Sequence, residues 1–171
     1  MLERAPCFAA ACVSARAAFK FCHPLFVLSH TRWGVKPGDI ILADEGGKHK
    51  PLYGKLTKDY PVEYIAGGAT QNSIRVAQWM SGTAGTTAFI GCIGADAFGE
   101  QLEKAASADG VNVQYFKQSK VETGTCGVLV PKGGDRALIA NLAAANCYDK
   151  AHFDSPAIQA LLKQTRIVYA A

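Results

Sequence analysis

From residue 60 onward, apolar and polar positions switch between a strand-like and a helix-like period. Val62 to Ala66 is a short apolar run that predicts a strand ending at Gly67-Gly68. A helix is predicted from about Thr70 to Met80. Ser73, Val76, Ala77 and Met80 stand at i, i+3, i+4 and i+7 and predict one buried stripe, which Gly82 and Gly85 end. Thr86 to Ile93 is a β-branched, apolar strand. Gly94, Asp96 and Gly99 predict a turn, with Asp96 placed to cap a helix running to about Asp109. Gly110 is a natural residue just past its end. Val111 to Phe116 alternates as a strand. Thr125 to Val130 and Arg136 to Leu142 are two extended segments with a hairpin signal, Gly133-Gly134, between them. A short helix is predicted from Ser155 to Gln164, capped by Asp154 or Ser155, and then a buried strand from Arg166 to Ala171. This succession predicts α/β architecture. The pattern stops at a strand's end, where parallel α/β sheets complete their ligand sites.

Composition narrows the class. With 171 residues, 49% hydrophobic and 19% charged, the chain suits one soluble domain with a real core. It holds no apolar run of membrane-spanning length, so no membrane partner is expected. The net charge is +4, but the basic residues are scattered apart from a loose group at Lys48, Lys50, Lys55 and Lys58. Without a basic stripe or a known module, a nucleic-acid partner is not expected, and those lysines read as a solvated face. The six cysteines, at 7, 12, 22, 92, 126 and 147, include no C-x-x-C pair, which argues against a zinc ribbon. Cys92, Cys126 and Cys147 lie among apolar residues as small hydrophobes. A reducing compartment is expected, cytoplasmic or nuclear. Residues 1–36 stand apart from residues 37–171. Met1 to Lys20 is Ala-rich, with Arg4, Arg16 and Lys20 against the single acid Glu3. It reads either as a weak organellar-targeting segment or as a non-native extension.

Candidate chemistry centres on Gly67-Gly68-Ala69-Thr70-Gln71-Asn72. Two glycines at a strand end let backbone approach a ligand closely. The following helix offers unpaired N–H groups, and Asn72 in its first turn can donate and accept hydrogen bonds. A ribose hydroxyl pair suits such a site; the structural alternative is a tight turn with an Asn cap. Neither Walker A nor G-x-G-x-x-G occurs here. Gly46-Gly47-Lys48 lacks the flanking pattern of a phosphate loop and reads as a surface turn.

The stretch from Val62 through Gly67-Gly68-Ala69-Thr70-Gln71-Asn72 to Met80 closely resembles the adenosine kinases of the ribokinase-like superfamily. So do Gly91-Cys92-Ile93-Gly94 with Asp96, Phe98 and Gly99, then Thr123-Gly124-Thr125-Cys126, and Leu138 to Tyr148 with its Asn141-Leu142-Ala143-Ala144-Ala145-Asn146. The resemblance runs from about Pro37 to the last residue. It implies a three-layer α/β/α fold with a small β lid, of which about half would be present. It implies transfer of phosphate from ATP, with Mg2+, to adenosine, giving AMP in purine salvage, by an enzyme expected to be monomeric. Gly67, Gly68 and Asn72 would contact ribose, with Ala69 beside it. Leu42, Cys126, Leu138, Ala140 and Leu142 would line an apolar adenosine cavity. Arg136 would stand near the transferred phosphate; its structural alternative is an exposed hairpin charge.

The chain also departs from the family pattern. No Gly-Ala-Gly-Asp, which supplies the family's base, occurs in these residues, so no catalytic residue is assigned and no metal ligand either. Where the family carries Gly-Asn-Pro-Leu-Leu-Asp, the candidate match is Cys22-His23-Pro24-Leu25-Phe26-Val27, with valine in place of the ribose-binding acid. Valine cannot accept a hydroxyl hydrogen bond. The expectation is an adenosine kinase-like chain inactive on its own. The alternatives are another nucleoside or sugar kinase of the superfamily, or a non-catalytic fragment.

Overall fold

The sequence Thr87–Gly94, apolar almost throughout, forms strand β5, and all eight of its residues are buried. Such a run suits a parallel strand covered on both faces. The computed structural model describes residues 7–11, 16–22, 35–36, 38–43, 63–130 and 136–170. In chain order these form β1 (Cys7–Ala11), β2 (Arg16–Cys22), β3 (Ile40–Leu42), β4 (Glu63–Gly67), α1 (Ala69–Ser81), β5, α2 (Ala97–Ala108), β6 (Asn112–Gln118), β7 (Thr125–Val130) and β8 (Ala137–Asn141). A 3-10 turn (Ala143–Asn146), α3 (Lys150–Phe153), α4 (Pro156–Gln164) and β9 (Thr165–Tyr169) follow. They divide into two compact units, one of Met1–Arg16, Ala66–Gly124 and Ala143–Ala171, the other of Ala17–Ile65 and Thr125–Leu142.

The first unit is built on a parallel sheet in the order β6-β5-β1-β9. Its core gathers Ile74 of α1, Phe89 and Ile93 of β5, Leu102 and Ala106 of α2, and Val111 and Tyr115 leading into β6. Phe89 and Tyr115 meet edge to face. Asp96 caps α2 as predicted, its side chain accepting from the Gly99 amide at 2.8 Å. Gly110, at φ +85, follows the helix in the left-handed conformation glycine tolerates. The second unit is a five-stranded sheet in the order β3-β8-β7-β2-β4, with β7 and β8 antiparallel and β3–β8 and β2–β7 parallel.

Two expectations are corrected. On α1 the buried residues are Thr70, Gln71, Ile74 and Gln78. Ser73, Val76 and Met80 of the predicted stripe are exposed, as is Trp79, and Ala77 is only half-buried. The helix turns polar side chains inward because the sheet holds partners for them: Gln78 accepts from the Thr87 amide and hydroxyl and donates to the Thr83 carbonyl. The last strand spans Thr165–Tyr169 and is an exposed edge, because among the described residues only β1 pairs with it. Of the two cap candidates for the final helix, Ser155 occupies the N-cap position, without a side-chain cap bond, while Asp154 closes the separate short helix α3. Strands β1 and β2 were not predicted. The Gly46-Gly47-Lys48 turn, the Gly133-Gly134 hairpin turn, the lysine group and Val27 lie outside the described residues.

Candidate functional site

The turn from β4 into α1 is short. Gly67, the last residue of β4, is buried, and Gly68 precedes the helix at φ +115, ψ 127. A side chain at that φ would be strained. No side chain caps the helix, so its first amides are not satisfied from within the turn. The Asn72 amide donates back to the Gly68 carbonyl at 2.8 Å. Ala69 and Asn72 are exposed and Gly68 partly so. The turn therefore offers backbone at Gly68 and a carboxamide at Asn72 on one short stretch.

Arg75, which the sequence did not single out, braces this turn. Its Nη1 donates to the Ala66 carbonyl at 3.3 Å and reaches Asn72 Oδ1 at 3.5 Å, and its Nε pairs with Asp109. The signal was present only as spacing: Arg75 is three residues after Asn72, on the same helix flank. An open groove of about 590 Å³ runs along this flank, lined by Asn72, Arg75, Val76, Trp79 and Asp109.

In the second unit the apolar candidates fall into a row. Leu42 on β3 is in register with Ala140 on β8, and Ala140 with Cys126 on β7. Residues in register across neighbouring strands share a face, so Leu42, Ala140 and Cys126 line one face. Leu138, two residues before Ala140, shares it and is in register with Ile40 and Val128. Ala140 and Cys126 are buried, Leu138 is partly buried, and Leu42 and Ile40 are exposed. Ile40, missed in the sequence, is three-quarters exposed on this same face. Leu142 lies just past the end of β8, partly buried. Arg136 is exposed, its carbonyl accepting from the Gly38 amide at 3.1 Å.

Asp96 is held by structure. Burial alone would raise its pKa, but hydrogen bonds from the Thr123 hydroxyl and amide and from the Gly99 and Phe98 amides outweigh that and bring it below the ordinary aspartate value. Such a carboxylate is a poor base. Cys92 is fully buried, and burial, with a smaller contribution from Cys147, pushes its thiol up to about 11, so it is not a nucleophile at neutral pH. Among the described residues no three His, Cys, Asp or Glu side chains converge to hold a metal ion, and no helix is long and apolar enough to cross a membrane.

A family model described as pfkB family carbohydrate kinase matches residues 38–171. Adenosine kinase 2 of Arabidopsis thaliana is 49% identical over 141 residues, covering 82% of this chain and 40% of that protein. Adenosine kinase of Dictyostelium discoideum is 38% identical over 138 residues, covering 81% and 39%. The solved Anopheles gambiae adenosine kinase, in complex with P1,P4-di(adenosine-5) tetraphosphate, superposes with a TM-score of 0.85 at 38% identity, over 95% of this chain and 47% of that one. The Schistosoma mansoni adenosine kinase in complex with adenosine gives 0.86 at 26% identity, over 99% and 47%. The chain thus spans about 40% of the length of the curated relatives it matches. It belongs to the pfkB family of carbohydrate kinases.

Proposed function

We propose that this chain carries the nucleoside-holding part of an adenosine kinase, an enzyme that phosphorylates the 5′-hydroxyl of adenosine with ATP to give AMP. The observation that carries the reading is the Gly67–Asn72 turn: a glycine at φ +115 with an exposed carboxamide four residues on, in a chain similar to adenosine kinases over most of its length. In this reading Gly67, Gly68 and Asn72 hold ribose, with Ala69 alongside. Leu42, Cys126, Leu138, Ala140 and Leu142 supply apolar surface for the purine, which suits a flat base with few polar contacts. Arg136 neutralises charge on the transferred phosphoryl group.

ATP supplies that group and Mg2+ the charge neutralisation in such reactions. Among the described residues no three His, Cys, Asp or Glu side chains converge on a metal ion, and no magnesium ligand is assigned to them. The 171 residues also contain no Gly-Ala-Gly-Asp. We therefore assign nucleoside binding, without phosphoryl transfer, to the chain by itself.

Calorimetric titration of the purified chain with adenosine, inosine and ribose tests this. Adenosine is expected to bind more tightly than the other two, and an ATP-coupled assay to yield no AMP. Ribose binding as tight as adenosine would move the reading to a sugar kinase. AMP formation would overturn the division between binding and transfer.

A further inference from the structure

The first turn of α1 has no capping side chain, and the bracing by Arg75 acts from its outer flank, at the Ala66 carbonyl and Asn72 Oδ1. The rotation of this turn decides where Asn72 points. Consecutive helix residues are about 100° apart, so fixing Gln71 inward fixes Asn72 outward. Gln71 is fully buried, and its Oε1 accepts a hydrogen bond from the hydroxyl of Tyr115 on β6. Two turns on, Gln78 ties the other end of the same helix face to Thr87.

We propose that Gln71 and Tyr115 form a positioning pair, whose buried hydrogen bond holds the first turn of α1 so that Gly68 and Asn72 stand ready for the ribose of a nucleoside. This rests on the adenosine reading above and adds to it two residues that do not themselves touch ligand.

Stability alone does not account for a glutamine here. Gln78 satisfies its whole carboxamide, whereas Gln71 Nε2 is buried and has no partner among the described residues. A buried donor without an acceptor is a net cost, which a leucine of similar size would avoid. The acceptor end of Gln71 is the used end. Its donor stays in the protonated form: burial first, then the charge of Glu103, push the Tyr115 phenol up, with Arg75 opposing. The link joins residues 44 apart in sequence, from the ribose turn to the core strand β6, where Tyr115 is packed against Phe89. It thereby anchors an otherwise uncapped helix end to a rigid element.

A double-mutant cycle tests this on the 171-residue chain, with thermal midpoint and calorimetric adenosine affinity as readouts. Tyr115→Phe and Gln71→Leu each leave a buried polar group orphaned and should lower both. The double variant Gln71→Leu/Tyr115→Phe removes both polar groups and should regain most of the lost midpoint. Its adenosine affinity should nevertheless stay about tenfold below wild type, because the turn is no longer oriented. If the single variants fail to fold, the double variant decides. A double variant that binds adenosine as tightly as wild type would show a purely structural pair and overturn the proposal. A folded wild-type chain that binds no adenosine would overturn the adenosine reading itself, and this inference with it.

Discussion

Asp96 ties the start of α2 to the segment at Thr123 with one carboxylate. It accepts from the Gly99 amide at 2.8 Å, from the Thr123 hydroxyl at 2.6 Å and from the Thr123 amide at 2.7 Å, and the Thr123 hydroxyl accepts in turn from the Gly94 amide at 2.9 Å. Glycine is required at position 94: a Cβ there would sit 2.6 Å from the Thr123 nitrogen and 2.7 Å from the Val121 carbonyl, both backbone atoms that cannot swing aside. Asp96→Asn keeps the shape but turns an NH2 group toward a donor, and should cost about 1–2 kcal/mol in urea unfolding at pH 7. The acid response follows from the lowered pKa. A carboxylate whose folded pKa lies below its unfolded value contributes stability that is complete above the unfolded value, about 3.9, and fades as pH falls through the lower folded one. The wild-type midpoint should therefore fall on going from pH 5 to pH 3, and more steeply than that of Asp96→Asn. Equal slopes would mean that Asp96 carries no net charge-dependent stability.

Helix α1 shows what periodicity can and cannot tell. Ser73, Val76, Ala77 and Met80 form a stripe, but so do Gln71, Ile74 and Gln78, two residues earlier and therefore about 200° around the helix. The period located the helix correctly over Ala69–Ser81 and chose the wrong face, because the inward face carries two glutamines whose partners lie on β5 and β6. Where the signal is local, the sequence was legible: the Asp96 cap, Gly110 after α2, the β7 strand and the Gly67–Asn72 turn are all set by neighbours a few residues away. Where the signal is tertiary, it was not. The run Cys7–Ala11 has neither alternation nor bulky β-branched residues, and its place between β5 and β9 is visible only in the sheet. The row of Leu42, Ala140 and Cys126 and the bracing by Arg75 likewise depend on pairing across the fold. The face assignment has a measurable consequence. Ile74→Ala should cost about 2–4 kcal/mol, as a buried truncation does. Trp79→Lys, at a side chain 79% exposed, should change stability by no more than about 0.5 kcal/mol. The reverse order in chemical denaturation would restore the stripe that periodicity predicted.

At the scale of the whole first unit, the two sides of its parallel sheet are treated unequally. β5 lies inside it and is buried at every position, whereas β9 has, among the described residues, a single paired neighbour, β1. Successive strand residues point to opposite faces, so Ile167 and Val168, 55% and 56% exposed, show that both faces of β9 are open. Tyr169 extends the apolar run, and Arg166 is the one charge within the strand. An edge of this kind offers unpaired backbone groups beside apolar side chains, the conditions for edge-to-edge association. The chain is therefore expected to self-associate at roughly micromolar concentrations and above, as exposed strand edges commonly do. Val168→Lys places a charge on that edge and should suppress the association while leaving the unfolding midpoint nearly unchanged, because the side chain it replaces is already more than half in water. Sedimentation velocity over a concentration series reads the first effect and thermal unfolding the second. If Val168→Lys lowered the midpoint as much as a core truncation, β9 would be packed in solution in a way its exposure does not allow. If association persisted in Val168→Lys at unchanged strength, its source would lie elsewhere on the chain, and the exposed outer side of α1 with Val76, Trp79 and Met80 would be the next surface to charge.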